Sequence, residues 1–154
     1  MKKLLLPLIV VLCSLPLLAD NPNFSGTWTL NPSKGENLGM MTQMKMTEKI
    51  RQTDSALDME DHADFQGQGS DSKTHYDLTG KPANNESPMA GPSETVSRWQ
   101  NGKLVTTWTS AGAVAGTKVV RTETRSLSPD GQTMTIESQR SGKPAVVMVF
   151  DKKK

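Results

Sequence analysis

The stretch Phe24-Ser25-Gly26-Thr27-Trp28-Thr29-Leu30 (FSGTWTL) decides the fold class, because its side chains alternate with a period of two. One face carries the glycine and the large apolar residues, namely Phe24, Gly26, Trp28 and Leu30. The other face carries only small hydroxyl residues. This alternation predicts a β-strand that buries one face and exposes the other.

The same period continues through the rest of the chain, where turn signals separate short alternating segments. Asn101-Gly102 favours a type I′ hairpin turn, and Pro129-Asp130-Gly131 marks a second hairpin. We predict an all-β fold, an up-and-down antiparallel meander of about 8–10 strands. The first strand and the apolar last strand, AVVMVFDK, would pair to close it into a small calycin-like β-barrel.

One segment, 36–52, has a helical alternative. Its Met and Lys content favours a helix by propensity, whereas Gly39, the threonines and the Met-x-Met alternation favour a strand over 42–52. We predict the strand, with a single helical turn around 38–41 left open.

The first 19 residues have the pattern of a secretory signal peptide. A short cationic start precedes an apolar run from Leu4 to Leu18, and Ala19 offers a small residue for cleavage. The run is shorter than the roughly 20 residues that a membrane-spanning helix needs, and no second such segment follows. We therefore expect cleavage near Ala19 and an exported protein, periplasmic or secreted, made of a single domain over residues 20–154.

The composition of this mature chain limits its partners. Without Lys2 and Lys3, its 16 basic residues face 16 acidic ones, so it offers no basic field for nucleic acid. Cys13, the only cysteine, lies in the leader, and the mature chain must be stable without disulfides.

The opening motif resembles a known superfamily. NFSGTWTL is similar to the Gly-x-Trp opening of the calycins, and Phe24, Gly26, Thr27, Trp28 and Leu30 match the run typical of fatty-acid-binding proteins. The phrases SPDG at 128–131 and VFDK at 149–152 resemble those of exported bacterial lipocalin-like domains. The resemblance frames nearly the whole mature chain and implies a lipocalin-like barrel.

The resemblance also implies roles for particular residues. Trp28, admitted by Gly26, would plug one barrel end and pack against an arginine of a late strand, either Arg125 or Arg140. Fatty-acid-binding proteins hold a carboxylate with an Arg-x-Tyr pair on the last strand. The equivalent here is Met148-Val149-Phe150, which argues against that mechanism of fatty-acid binding.

The predicted barrel suggests two hypotheses about function. The first is a protein that binds a small apolar or amphipathic molecule inside the barrel, since small barrels hold single ligands. The candidate ligand-binding residues share an inward position: Met44, Met46, Leu57, Met59, Tyr76, Trp99, Trp108, Met134, Met148 and Phe150. Core packing is the alternative role for the same side chains.

The second hypothesis is a packed scaffold whose loops bind another protein, such as an inhibitor target or an envelope partner. The segment 79–93 motivates it, because a loop of about 15 residues exceeds the usual connection.

No motif indicates an enzyme, a cofactor or a metal. In DMEDHAD, Asp58, Glu60 and His62 would point to one side of a strand and Asp61 to the other, which is typical of a solvated face. We predict no catalytic residue, no metal site and no cofactor.

Overall fold

The computed structural model describes residues 21–87 and 91–154, so the predicted leader at 1–19 lies outside the described residues. The strands are β1 Gly26–Leu30, β2 Lys45–Gln52, β3 Ala56–Phe65, β4 Gln68–Asp77, β5 Pro82–Ser87, β6 Gly91–Gln100, β7 Lys103–Ala111, β8 Lys118–Leu127, β9 Thr133–Arg140 and β10 Val146–Lys152. All their pairings are antiparallel. The predicted all-β meander is confirmed, with ten strands among the described residues.

The connections explain why neighbouring strands form hairpins. At the β6–β7 turn, Asn101 and Gly102 have φ values of 51° and 73°, as a type I′ turn requires of both central residues. Gln66 and Gly67, between β3 and β4, also have positive φ values, 54° and 84°. Only the first of these turns carries the usual Asn-Gly signal in the sequence.

The barrel closes where the sequence predicted and opens elsewhere. β1 pairs with β10, with Trp28 opposite Lys152 and Leu30 opposite Phe150. The strand order is β4-β3-β2-β1-β10-β9-β8-β7-β6-β5, so the two sheet edges are β4 and β5. The barrel is therefore nearly closed, with one seam between β4 and β5.

A side-chain amide bridges this seam. Asn85 Oδ1 of β5 accepts a hydrogen bond from the His75 backbone N–H of β4 at 2.8 Å, and Asn85 Nδ2 donates to the His75 carbonyl at 2.8 Å. The same Nδ2 donates to Thr95 Oγ1 of β6 at 2.8 Å. Asn85 thus replaces the backbone ladder that these two edges lack.

The segment between β1 and β2 runs past the last strand rather than forming two full helices. It contains the 3₁₀ helices Pro32–Lys34 and Gly39–Gln43, and Glu36 pairs with Val147 of β10. The predicted strand over 42–52 is confirmed from Lys45 onward, and a short helical turn precedes it. No helix among the described residues is long and apolar enough to cross a bilayer.

The predicted long loop at 79–93 is wrong. Residues 82–87 form β5, which pairs along its whole length with the first half of β6. Proline and asparagine disfavour strands, but proline is tolerated in an edge strand such as β5. Hydrogen bonding to β6 stabilises the extended conformation that the residues of β5 do not favour by themselves. The scaffold hypothesis loses the loop that motivated it.

The acidic stretch of β3 forms the outer face that its alternation predicts. Its outward side chains pair across the ladder to β4: Asp58 with His75 at 2.7 Å, Glu60 with Lys73 at 3.0 Å and His62 with Asp71 at 2.7 Å. These pairs are exposed and contribute little stability individually. Within the described ranges, no group of three or more metal-ligating side chains comes together.

One end of the barrel, called the closed end below, is filled by aromatic side chains. Trp28 is fully buried, and its Nε1 donates to the Phe24 carbonyl at 2.8 Å. The Phe24 ring stacks on Trp99 with centroids 5.9 Å apart. The side chains of Phe24, Trp28 and Trp99 therefore plug this end, and Trp28 is fully buried there.

The cation over Trp28 is a lysine, and the expected arginine lies elsewhere. Lys152 Nζ lies 5.1 Å from the Trp28 ring, because the two residues are direct neighbours across the β1–β10 pair. Gly26 has a φ of 141°, and a Cβ there would lie 2.9 Å from Lys152 Cε, so glycine makes room for this side chain. Arg140 is exposed at the opposite end, and Arg125 contacts other rings.

Replacing Trp28 with alanine is expected to lower the free energy of unfolding by about 3–5 kcal/mol, because a fully packed aromatic leaves a cavity. Trp99→Ala is the matched control, since Trp99 is only half-buried and should cost less. Urea denaturation followed by far-UV circular dichroism measures both. A Trp28→Ala loss below about 1 kcal/mol would show that Trp28 is not the plug.

Candidate functional site

The inner face of the barrel divides into an apolar half and a polar half. The apolar half belongs to the closed end, where Leu57, Met134 and Phe150 are fully buried in the core. These three were predicted to touch a ligand, and the structure places them among packed core side chains. Closely packed core side chains leave no space for a ligand at the closed end. The rest of the inner face is therefore the candidate site.

The other predicted ligand residues lie at different depths. Met59, Tyr76 and Trp108 are buried within the same core cluster. Met46, Trp99 and Met148 are partly buried and pack against it. Met44 is half-buried just before β2 begins. Trp99 belongs to the closed end, so Met46, Met148 and Trp108 are the candidates nearest to the polar half.

A layer of ionisable side chains crosses the interior next to the apolar core. We call it the charged layer; its members are Glu48 of β2, Asp61 of β3 and Arg121, Glu123 and Arg125 of β8. Alternation along each strand turns them inward, because Glu48 shares a face with Ile50, Asp61 with Met59, and Arg121 with Arg125.

Arg125 is the centre of this layer. Its side chain is 4% exposed, and its Nη1 donates to Glu48 Oε2 at 3.3 Å. Its Nη2 lies 3.7 Å from Glu123 Oε1. Both terminal nitrogens also contact sulfur, Nη1 at 3.6 Å from Met134 Sδ and Nη2 at 3.4 Å from Met59 Sδ. The guanidinium is therefore surrounded by protein partners on both terminal nitrogens.

Aromatic rings complete the surroundings of Arg125. Its Cζ lies 5.7 Å from the Tyr76 ring centroid and 6.0 Å from that of Phe24. A guanidinium near ring faces gains cation–π attraction that is larger when water is excluded. Arg125 therefore connects the closed end to the charged layer.

The interior changes the pKa of the buried carboxyl groups. Burial, reinforced by the charges of Asp61 and Glu123, raises the pKa of Glu48 from 4.5 to about 8 against the opposing attraction of Arg125. Burial likewise raises the pKa of Asp61 from 3.8 to about 6. Burial lowers the pKa of Arg125, but the neighbouring acidic groups, with Glu48 first, outweigh this effect and raise that pKa. Burial therefore favours the protonated form of Glu48 near neutral pH.

Three buried polar atoms beside this layer have no hydrogen-bond partner among the described residues: Asp61 Oδ1, Tyr76 OH and Trp108 Nε1. The Tyr76 and Trp108 rings meet edge to face with centroids 5.9 Å apart. Asp61 is close enough for its charge to raise the pKa of Tyr76. Buried polar groups are nearly always paired in proteins, so these three exceptions mark the polar half as a candidate site for a further polar group.

Exposure increases towards the end opposite Trp28, called the open end below. Arg121 is 37% exposed, whereas Arg125, four residues further along β8, is 4% exposed. The Arg121 guanidinium lies 4.7 Å from the Trp108 ring and 3.7 Å from Glu123. Arg121 is therefore accessible to solvent, whereas Arg125 is not.

Sequence reasoning missed most of the charged layer. No motif in the sequence singles out Glu48, Arg121 or Glu123. Their spacing was the available signal, since Arg121, Glu123 and Arg125 occupy alternate positions of one strand. Charges at inward positions indicate a buried pair or a site, and only the fold shows which strands bring them together.

Comparison with known proteins establishes the fold. The chain matches no protein-family model and no curated protein. It is similar to the wild-type fluorescent protein UnaG, with a TM-score of 0.67, 15% identity and coverage of 84% of this chain and 97% of that one. It is also similar to lipid binding protein 8 of Caenorhabditis elegans, with a TM-score of 0.65, 15% identity and coverage of 84% and 95%.

A third similar structure holds a ligand. It is the fatty acid binding protein of Schistosoma mansoni in complex with arachidonic acid, with a TM-score of 0.63, 15% identity and coverage of 85% and 96%. Likeness at these identities shows the architecture alone, a nearly closed antiparallel β-barrel.

The raised pKa values predict that the free energy of unfolding falls as pH rises from about 5 to 8. The folded chain then binds more protons than the unfolded chain, and each tenfold shift in proton affinity corresponds to about 1.4 kcal/mol. Glu48→Gln should flatten this profile, because an amide at that position cannot ionise.

Urea denaturation across this pH range measures the slope, and Glu137→Gln, which removes an exposed outer carboxyl, is the matched control. An identical slope in the wild type and in Glu48→Gln would contradict the assignment.

Proposed function

We propose that this chain is an exported, non-enzymatic binding protein that holds one small, at least partly apolar molecule inside its barrel. The similar solved structures support the class of ligand, since they include a lipid-binding protein and a fatty acid binding protein with arachidonic acid. The observation that carries the proposal is the division of the inner face into an apolar closed end and a polar half that contains buried polar atoms without hydrogen-bond partners among the described residues.

The ligand enters from the open end and stops at the charged layer. Arg121 is 37% exposed at this end, and the core around Leu57 and Met134 is filled. The apolar part of the ligand packs on Met46, Met148 and Trp108. Thioether side chains adapt to irregular apolar shapes, and partly buried methionines provide such a surface.

Export is the second part of the proposal. The cationic start, the apolar run and Ala19 support it, because together they form the regions that signal peptidases recognise. Protein purified from its own host should then begin at Asp20. A chain that retains Met1 in the same preparation would exclude cleavage.

The direct experiment is organic-solvent extraction of the full-length gene product purified from its host, followed by mass spectrometry. We expect one small apolar or amphipathic compound in stoichiometric amount. Ser138→Trp should reduce the extracted amount strongly, because Ser138 is an inward-facing, half-buried residue of β9 near the open end.

The matched control is Glu137→Trp, which places the same ring on the exposed outer face of the same strand. It should leave the extracted amount unchanged. An extract that contains no bound compound, or equal amounts from both variants, would contradict binding inside the barrel.

A further inference from the structure

The three unpartnered atoms of the polar half specify complementary chemistry. Trp108 is 7% exposed, and its indole N–H can only donate a hydrogen bond. The buried carboxylate oxygen Asp61 Oδ1 accepts when Asp61 is ionised. Tyr76 is 2% exposed, and its hydroxyl can do either. A single group that bonded to all three atoms would carry both an acceptor and a donor.

The charged layer as a whole has no excess of positive charge. Burial raises the pKa of Glu48 to about 8, which favours its uncharged form near neutral pH. Asp61 and Glu123 then face Arg125 and Arg121, of which Arg121 lies at the exposed edge of the layer. A carboxylate entering this layer would add a buried charge without a counter-ion, which is strongly unfavourable.

The two terminal nitrogens of Arg125 already have protein partners as well. Carboxylates bind arginine best through two parallel hydrogen bonds to a free edge of the guanidinium. Nη1 already donates to Glu48 and Nη2 lies against Glu123 and Met59. The guanidinium that an anionic ligand would need is therefore occupied by the protein's own acids and sulfurs.

We propose that the polar group of the ligand is an uncharged group that both donates and accepts hydrogen bonds, such as a primary amide or a hydroxyl, and is not a carboxylate. This inference rests on the proposed function and specifies its ligand class. The carbonyl of an amide would accept from Trp108 Nε1, and its N–H would donate to Asp61 Oδ1. Tyr76 would complete the set, since burial raises its pKa well above 10 and keeps the phenol protonated.

The experiment uses one alkyl chain with different polar groups. The probes are dodecanamide, dodecan-1-ol, dodecanoic acid and dodecylamine, each below the concentration at which it forms micelles. Their affinities for the full chain at neutral pH are measured by displacement of Nile red, an uncharged fluorescent dye. We expect the amide and the alcohol to bind at least about tenfold more tightly than the acid and the amine, because only the charged groups unbalance the layer.

Each outcome has a distinct meaning. Equal or tighter binding of dodecanoic acid or dodecylamine would overturn the inference while leaving the proposed function intact. Equal affinities for all four probes would also overturn it, because the polar group would then not reach the layer. Failure of Nile red and of every probe to bind would overturn the proposed function itself.

A substitution at Asp61 tests the charge argument separately. Asp61→Asn removes one negative charge from the layer, so dodecanoic acid should gain affinity relative to dodecanamide by about tenfold. The matched control is Asp54→Asn, the same change in the exposed turn between β2 and β3. An unchanged preference in folded Asp61→Asn protein, or the same change in both variants, would overturn the assignment of Asp61 to the site.

Discussion

The guanidinium of Arg125, 4% exposed in the middle of the barrel, constrains the whole interior. A permanently charged group away from water must be surrounded by opposite charges, hydrogen-bond acceptors or ring faces. Glu48, Glu123, the sulfurs and the Phe24 and Tyr76 rings fill these roles from five different strands and the chain preceding β1. The inward-facing acids Glu48 of β2 and Glu123 of β8 meet this requirement.

Stability alone gives no reason for such a layer. An apolar layer of the same volume is often as stable as a buried ion pair or more so, whereas removing one partner is costly. The closed end shows the alternative solution, since apolar side chains such as Trp28, Leu57 and Phe150 fill it. We infer that the charged layer is retained for what it recognises, and the unpartnered atoms of Tyr76 and Trp108 indicate where.

The sequence predicted the features that depend on local pattern. Period-two alternation around Trp28 and the Asn101-Gly102 turn predicted the meander, and the apolar faces of β1 and β10 predicted their pairing. β5 was missed because Pro82 and two asparagines give no strand signal, and its pairing with β6 forms it. The arginine expected over Trp28 was wrong because Lys152 lies directly opposite on β10, whereas Arg125 is two strands further away and held by acids. Side-chain partners depend on register between strands, which no single strand encodes.

The balance of charge inside the barrel is the central claim, and the protonation of Glu48 tests it most directly. Titration of the Glu48 side-chain carboxyl by ¹³C NMR, in the full chain without added ligand, gives its pKa without any mutation. We expect a midpoint near 8, which leaves Glu48 largely uncharged at neutral pH and the charged layer as a whole balanced. A midpoint near the ordinary value of 4.5 would give the layer a net negative charge and contradict an uncharged ligand site.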